Sequence, residues 1–215
     1  MRLCKVDGCS GKHQANGYCV RHYYQFYNKG KVSKRLLSDP NEIVIKNNVA
    51  EIILCDKKHK EIARAIIDTK DVKKIKKFKW CIGSAGYVET KTGGIPAKLS
   101  HIVLGVTPNM KKIPDHKDRN KLNNRKENLR ICTQSQNTMN RPKQINNTSG
   151  FKGVSAKGKG WMARINVRGK CFYLGTFKDK IDSAMAYNEA AIKYHGEFAY
   201  INTINNNAQN RNQRP

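Results

Sequence analysis

The chain has 215 residues, 38% of them hydrophobic and 8% aromatic, which is thin for one large core and adequate for two or three small ones. Lys and Arg number 42 against 16 Asp and Glu, so the net charge is +26, and such a field is used to meet a polyanion, nucleic acid first. No stretch is apolar enough to span a bilayer, no amphipathic anchor stands out, and Arg2, Lys5 and Asp7 interrupt any leader-like apolar run, so an intracellular, cytoplasmic protein without a membrane partner is expected.

Seven cysteines are present, and in a reducing compartment they are not expected to pair as disulfides. Cys55, Cys81, Cys132 and Cys171 stand singly and read as core fillers. Cys4, Cys9, Cys19 and His22 instead follow the spacing C-x4-C-x9-C-x2-H. Two close pairs of soft or borderline ligands can close a tetrahedron around zinc, and Gly8 and Gly17 stand where turns would bring each pair together. His13 is a rival fourth ligand with a poorer spacing. Residues 1–31 are therefore read as a small finger that needs a staple to fold. Tyr23, Tyr24, Phe26 and Tyr27, followed by Lys29, Lys31, Lys34 and Arg35, fit either a nucleic-acid contact or a small core with a basic linker. A linker is placed near 32–41, with Ser38-Asp39-Pro40 as a break.

From Glu42 the pattern becomes strand-like. Ile43 and Ile45 alternate with Val44 and Lys46, and Ile52-Ile53-Leu54-Cys55 is a short apolar run. Val72, Ile75 and Phe78 recur every three residues among lysines, which predicts a short helix with one apolar edge and a basic face. Trp80 to Leu104 reads as strands, with turns at 83–86 and 92–94.

The stretch from Leu99 to Arg141 carries the chemistry. It holds His101, then Asp115-His116, then Asn123-Asn124, then Asn128-Leu129-Arg130, then Asn137. Hydrolysis of a phosphodiester needs a base to activate water and a cation to stabilise charge on the leaving oxygen. An imidazole can serve as the first near neutral pH, and a hard, oxygen-ligated ion such as Mg2+ as the second. Asp115 and His116 are neighbours, so on an extended strand they reach one site only if the strand twists or ends there.

These motifs, in this order, resemble the HNH (His-Me finger) homing endonucleases and their ββα-metal fold. The resemblance implies that His116 is a general base and that Asp115 and Asn137 hold a single Mg2+ or Mn2+. It implies that Asn128 orients the His116 region. With Asn137 where many members have a final histidine, the metal site would be oxygen-only. His101 matches an upstream histidine of the family, with packing or a phosphate contact as its alternatives. The likeness extends back through residues 42–99, so 42–141 is taken as the nuclease domain.

A linker punctuated by Pro142, Asn146-Asn147 and Ser149-Gly150 precedes a module at 149–202. Trp161, Ala163, Ile165 and Val167 alternate with Met162, Arg164, Asn166 and Arg168, a strand with one apolar and one basic face. Arg168-Gly169-Lys170 reads as a hairpin turn, and Cys171 to Phe177 as the partner strand. Asp179 or Asp182 is a helix cap, Ala184, Tyr187, Ala191 and Tyr194 form one helical stripe, and His195-Gly196 ends it. A small sheet packed on a helix leaves its other face for the DNA major groove.

Phe151-Lys-Gly-Val154, Trp161, Tyr173-Leu-Gly-Thr-Phe177, Ala186-Tyr-Asn-Glu-Ala-Ala191 and Asn202 resemble the Apetala-type (ethylene-response-factor) DNA-binding domain. By that likeness Lys152, Lys157, Arg164, Asn166 and Tyr173 fall where the family contacts DNA, and Arg168 adds to the basic face. Ser155 stands where the family usually has Arg, and Arg164 where it often has an acidic residue, so the base sequence read would differ. Residues 203–215, rich in Asn and Gln, are expected to be disordered.

The whole is read as a modular α+β protein: a zinc-finger-like N-terminus, a ββα-metal nuclease core, and a three-stranded antiparallel sheet on one helix. The expected function is site-directed cleavage of double-stranded DNA, of the kind carried by mobile elements or phages, by a monomer with no obligate protein partner. The alternatives are a DNA-binding regulator or inactive nuclease, and an RNA-binding protein.

Overall fold

A computed structural model describes residues 2–6, 9, 11–32, 39–92, 95–107 and 111–204. The turn expected at Gly8, Lys34 and Arg35, most of the first linker, Gly93-Gly94 and the tail from 205 lie outside them. The chain divides into two compact units, Met1–Ala97 and Lys98–Pro215.

The first unit opens with a hairpin, β1 (His13–Ala15) and β2 (Tyr18–Cys19), followed by helix α1 (Val20–Lys29). Gly17, at φ +81°, makes the turn between the strands, and Gly30 at φ +65° ends the helix by donating its N–H to the Phe26 carbonyl. Strands β3 (Ile43–Lys46), β4 (Val49–Cys55) and β5 (Glu61–Asp68) then form an antiparallel meander. The period of two along β4 sends Ala50, Ile52 and Leu54 to full burial, where Ala65 and Ile67 of β5 join them.

Helix α2 covers only Val72–Ile75, shorter than the lysine-rich pattern predicts. Phe78 falls outside it because the chain turns to seat Trp80, whose indole N–H donates to the Ile75 carbonyl at 3.0 Å. The buried Asn41 amide clamps the same tryptophan: its Nδ2 donates to the Ile53 and Trp80 carbonyls, and its Oδ1 accepts from the Trp80 N–H. Strands β6 (Cys81–Ile82), β7 (Val88–Thr92) and β8 (Ile95–Lys98) form a second small sheet.

In the second unit the expectation of strands through Leu104 is corrected. Residues 99–104 are helix α3 (Leu99–Leu104), closed by Gly105 at φ +69°. Leu99, Ile102, Val103 and Val106 fall at helical spacing, and Leu99, Val103 and Val106 are buried. Strands β9 (Lys112–His116) and β10 (Leu129–Thr133) pair antiparallel, with Leu129 opposite His116 and Arg130 opposite Asp115. Helix α4 (Gln134–Asn140) follows, started by a capping box in which the Thr133 hydroxyl accepts from the Gln136 N–H while the Gln136 side chain accepts from the Thr133 N–H.

The same unit ends in β11 (Val154–Lys157), β12 (Gly160–Val167) and β13 (Lys170–Phe177), antiparallel and in that order, with helix α5 (Lys180–His195) packed on one face. The Arg168-Gly169 turn has φ +50° and +80°, the positive pair that a tight two-residue hairpin needs. Asp179 caps α5 by accepting from the Ile181 N–H. Ile165, Tyr187, Ala190 and Ala191 form the core between sheet and helix. Trp161, expected in that core, is half-buried.

Candidate functional site

At the N-terminus, Cys4, Cys9, Cys19 and His22 offer ligand atoms that all lie within 4.8 Å of one another. The Cys4 and Cys19 sulfurs are 3.2 and 3.5 Å from His22 Nδ1, and the Cys9 and Cys19 sulfurs are 3.9 Å apart. Tetrahedral zinc, with bonds of about 2.0–2.3 Å, separates its ligands by roughly 3.5–3.8 Å, so the donor set and spacing fit that ion. β2 delivers Cys19, and the first turn of α1 returns His22 to it. Gly11 makes the approach possible: a Cβ there would lie 2.8 Å from the Cys19 Cβ. Burial raises the Cys4 thiol, but the backbone N–H groups of Cys19 and Val6 and the His22 ring outweigh it and lower the thiol to about 6, toward the thiolate that ligates metal. His13 is elsewhere: its Nε2 accepts from the Gly17 N–H at 3.0 Å.

In the second unit, Asp115 and His116 stand at the end of β9. Both are buried, at 5% and 4% exposure. Asp115 Oδ2 accepts from Arg130 Nε at 2.9 Å and Nη2 at 2.8 Å, a pairing dictated by the strand register. Asn140 Nδ2 lies 3.1 Å from each Asp115 oxygen and 2.9 Å from the His116 carbonyl. Asn137 is half-buried on α4, three residues before Asn140 and so on the same helix face. Among the described residues it is Asn140, rather than Asn137, that bonds to Asp115. Asp115 and Asn137 offer a metal only oxygen donors, a set suited to a hard cation such as Mg2+, whereas Asn140 turns its amide N–H toward Asp115.

The His116 ring meets Asn124 Oδ1 through Nε2 at 3.2 Å. The Asn124 amide is oriented by its own Nδ2, which donates to the Lys121 carbonyl. Burial lowers the His116 pKa from the ordinary histidine value, and the Asn124 bond and the charges of Asp118 and Asp115 only partly oppose it. Asn128 bonds to the neighbouring loop. It closes the loop that carries Asn124: Oδ1 accepts from the Asp118 N–H at 3.0 Å, and Nδ2 donates to Asp118 Oδ1 and the Asn123 carbonyl, each at 2.8 Å. His101 sits on α3, which packs against β9. Burial and then Lys98 lower its pKa.

In the terminal module, Arg164, Asn166, Lys157 and Tyr173 stand exposed on the sheet face away from α5, with Arg164 opposite Tyr173. Lys157 Nζ lies 5.2 Å from the Tyr173 ring. Arg168 is exposed at the hairpin turn. Lys152 is set apart. Its Nζ donates to the Met139 and Arg141 carbonyls at 2.6 and 2.7 Å, capping the C-terminus of α4, and burial lowers it to about 8. It is a clasp between the module and α4 rather than part of the sheet face.

Arg130 and Asn140 are the residues the sequence reading missed. Asn140 was within reach, since i and i+3 share a helix face. Arg130 stands in the sequence reading only as the last residue of Asn128-Leu129-Arg130, because its charge partner is set by strand register.

The family model for HNH endonucleases matches residues 88–139. An uncharacterized HNH endonuclease of Acanthamoeba polyphaga mimivirus is 31% identical over 134 residues, covering 60% of this chain and 70% of that protein. No solved structure matches the chain.

Proposed function

The chain belongs to the HNH endonuclease family, and from that premise we propose that it is a homing-type endonuclease that hydrolyses double-stranded DNA with one divalent ion and His116 as general base. The observation that carries the reading is the buried Asp115-His116 pair at the end of β9, bonded to Asn140 of α4 and followed by a loop pinned by Asn128.

Asp115 and Asn137 would hold the ion, Mg2+ or Mn2+, which when bound stabilises charge on the scissile phosphate and the leaving oxygen. The rest falls to the chain's own side chains. Asn124 presents its carbonyl oxygen to His116 Nε2, so Nε2 carries the hydrogen and Nδ1 the lone pair. Nδ1 takes the proton of the attacking water. The lowered pKa keeps the ring neutral, and thus basic, at neutral pH. Asn128 acts at one remove, through the Asn123-Asn124 loop. His101 packs beside β9 and is not required for the proton transfer.

The terminal module serves as an Apetala-type reader, with Arg164, Asn166, Lys157, Arg168 and Tyr173 toward the major groove. The exposed basic face opposite α5 supports this. Zinc on Cys4, Cys9, Cys19 and His22 organises the finger at residues 1–31. Site-directed cutting of this kind suits a mobile genetic element.

Supercoiled plasmid incubated with the protein and Mg2+ or Mn2+ tests the reading. The parent relaxes or linearises it; His116→Ala does not, yet still shifts DNA in a gel. A parent that binds without cutting would instead be a DNA-binding regulator, and a His116→Ala variant that cuts at the parental rate would remove the base assignment.

A further inference from the structure

Arg130 is used in full by two parts of the second unit. Two of its guanidinium nitrogens hold Asp115 Oδ2, at 2.9 and 2.8 Å. The third, Nη1, donates to the Glu197 carbonyl and lies 3.6 Å from the Glu197 carboxylate. The face of the group lies 3.9 Å from the centre of the Phe198 ring. The side chains of Arg130 and Asp115 are 10% and 5% exposed, so water screens this pair little. Glu197 and Phe198 belong to the short turn Gly196–Phe198 that follows α5. The terminal module thus reaches the nuclease centre and seats its only direct cation contact on Asp115 among the described residues.

We propose that Arg130 is the resident counter-ion of the nuclease centre and makes divalent-ion binding conditional on DNA. The inference rests on the reading of Asp115 as the ligand carboxylate. Arg130 opposes the charge of Asp115, while Asn137 and Asn140 are neutral and the Glu197 carboxylate, 70% exposed, is screened by water. A divalent ion entering the DNA-free site meets a resident cation on its ligand carboxylate. A DNA phosphate brings the missing negative charge, so ion and DNA load together and the protein does not carry a charged centre away from its substrate. The Glu197–Phe198 turn, by holding Arg130 in place, ties that condition to the folded terminal module.

The test is Mn2+ titration of the full-length, zinc-loaded protein, following free Mn2+ by electron paramagnetic resonance, which reads the site without cleavage. A unit charge within about 4–6 Å of a carboxylate changes its affinity for a cation by roughly tenfold or more. Arg130→Gln is therefore expected to bind Mn2+ at least about tenfold more tightly than the parent without DNA, while Arg130→Lys stays near the parent. Adding Asp115→Asn to Arg130→Gln should abolish the gain. A purely structural role would weaken binding in both variants. An Arg130→Gln protein that binds Mn2+ no more tightly than the parent overturns the proposal.

Should the variants fail to fold, the parent alone decides. With a short duplex at low salt, corrected for Mn2+ bound by the duplex itself, its affinity should rise at least about tenfold, and equal affinity with and without duplex overturns the idea. An uncut plasmid in the cleavage assay would refute the nuclease reading and leave this measurement standing.

Discussion

Asn128→Ala removes a side chain that is 7% exposed and makes three hydrogen bonds, one of them to the Asp118 carboxylate. A neutral bond contributes about 0.5–1.5 kcal/mol net and a bond to a charged group about 1.5–3 kcal/mol. Two of the first kind and one of the second give about 2.5–6 kcal/mol. The low end, about 3 kcal/mol, is expected, because Asp118 keeps its bonds from the Asn120 N–H and Asn123 Nδ2. For a unit of this size that lowers the melting temperature of the 98–215 transition by roughly 12–20 °C. Asn128→Asp is the sharper variant. It preserves volume and the acceptor, but turns a donor into an oxygen facing Asp118 Oδ1 and the Asn123 carbonyl. At neutral pH it should be no more stable than Asn128→Ala. Calorimetry of parent and variants measures this, and cleavage measured below the variants' melting points should fall about tenfold or more as Asn124 loses its fixed place beside His116. An Asn128→Ala protein within about 1 kcal/mol of the parent, or an Asn128→Asp protein clearly more stable than it, would show that the loop is held without this amide.

Because burial lowers the His116 pKa and a cation at Asp115 would push the same way, the cleavage rate should hold as pH falls through the ordinary histidine range and drop only below it. A pH–rate profile whose acid limb lies above about 6.5 would contradict this. Metal analysis should find about one zinc per chain on the Cys4, Cys9, Cys19 and His22 cluster, lost in the Cys4→Ser, Cys19→Ser double variant; zinc that survives it would exclude the cluster. Arg164→Ala with Arg168→Ala should relax site choice in a cleavage profile over a randomised target, each lost base contact costing about 1–3 kcal/mol at its position. An unchanged profile would mean that the sheet face does not read bases.

Features governed by neighbours along the chain were legible without coordinates. The spacing of Cys4, Cys9, Cys19 and His22 does place four ligand atoms together, since a hairpin and one helical turn span it. The Arg168-Gly169 turn and the Asp179 cap are likewise local, because each depends on a backbone dihedral or a hydrogen bond within two residues. The alternation along β12 predicted its two faces, for the period of a strand is independent of what covers it.

Tertiary structure decided what lies across the chain. Residues 99–104, rich in apolar groups that suit either state, became helix because that arrangement buries Leu99 and Val103 together. Lys152, which the Apetala likeness puts among the DNA contacts, is drawn to the carbonyls that α4 leaves unpaired at its end. Asn128 bonds to the loop that carries Asn124, and Arg130 joins Asp115 to a turn 67 residues further along. Such contacts follow from strand register and packing between segments distant in sequence. Residue type and spacing set which partners are chemically suitable, and the folded backbone selects among them.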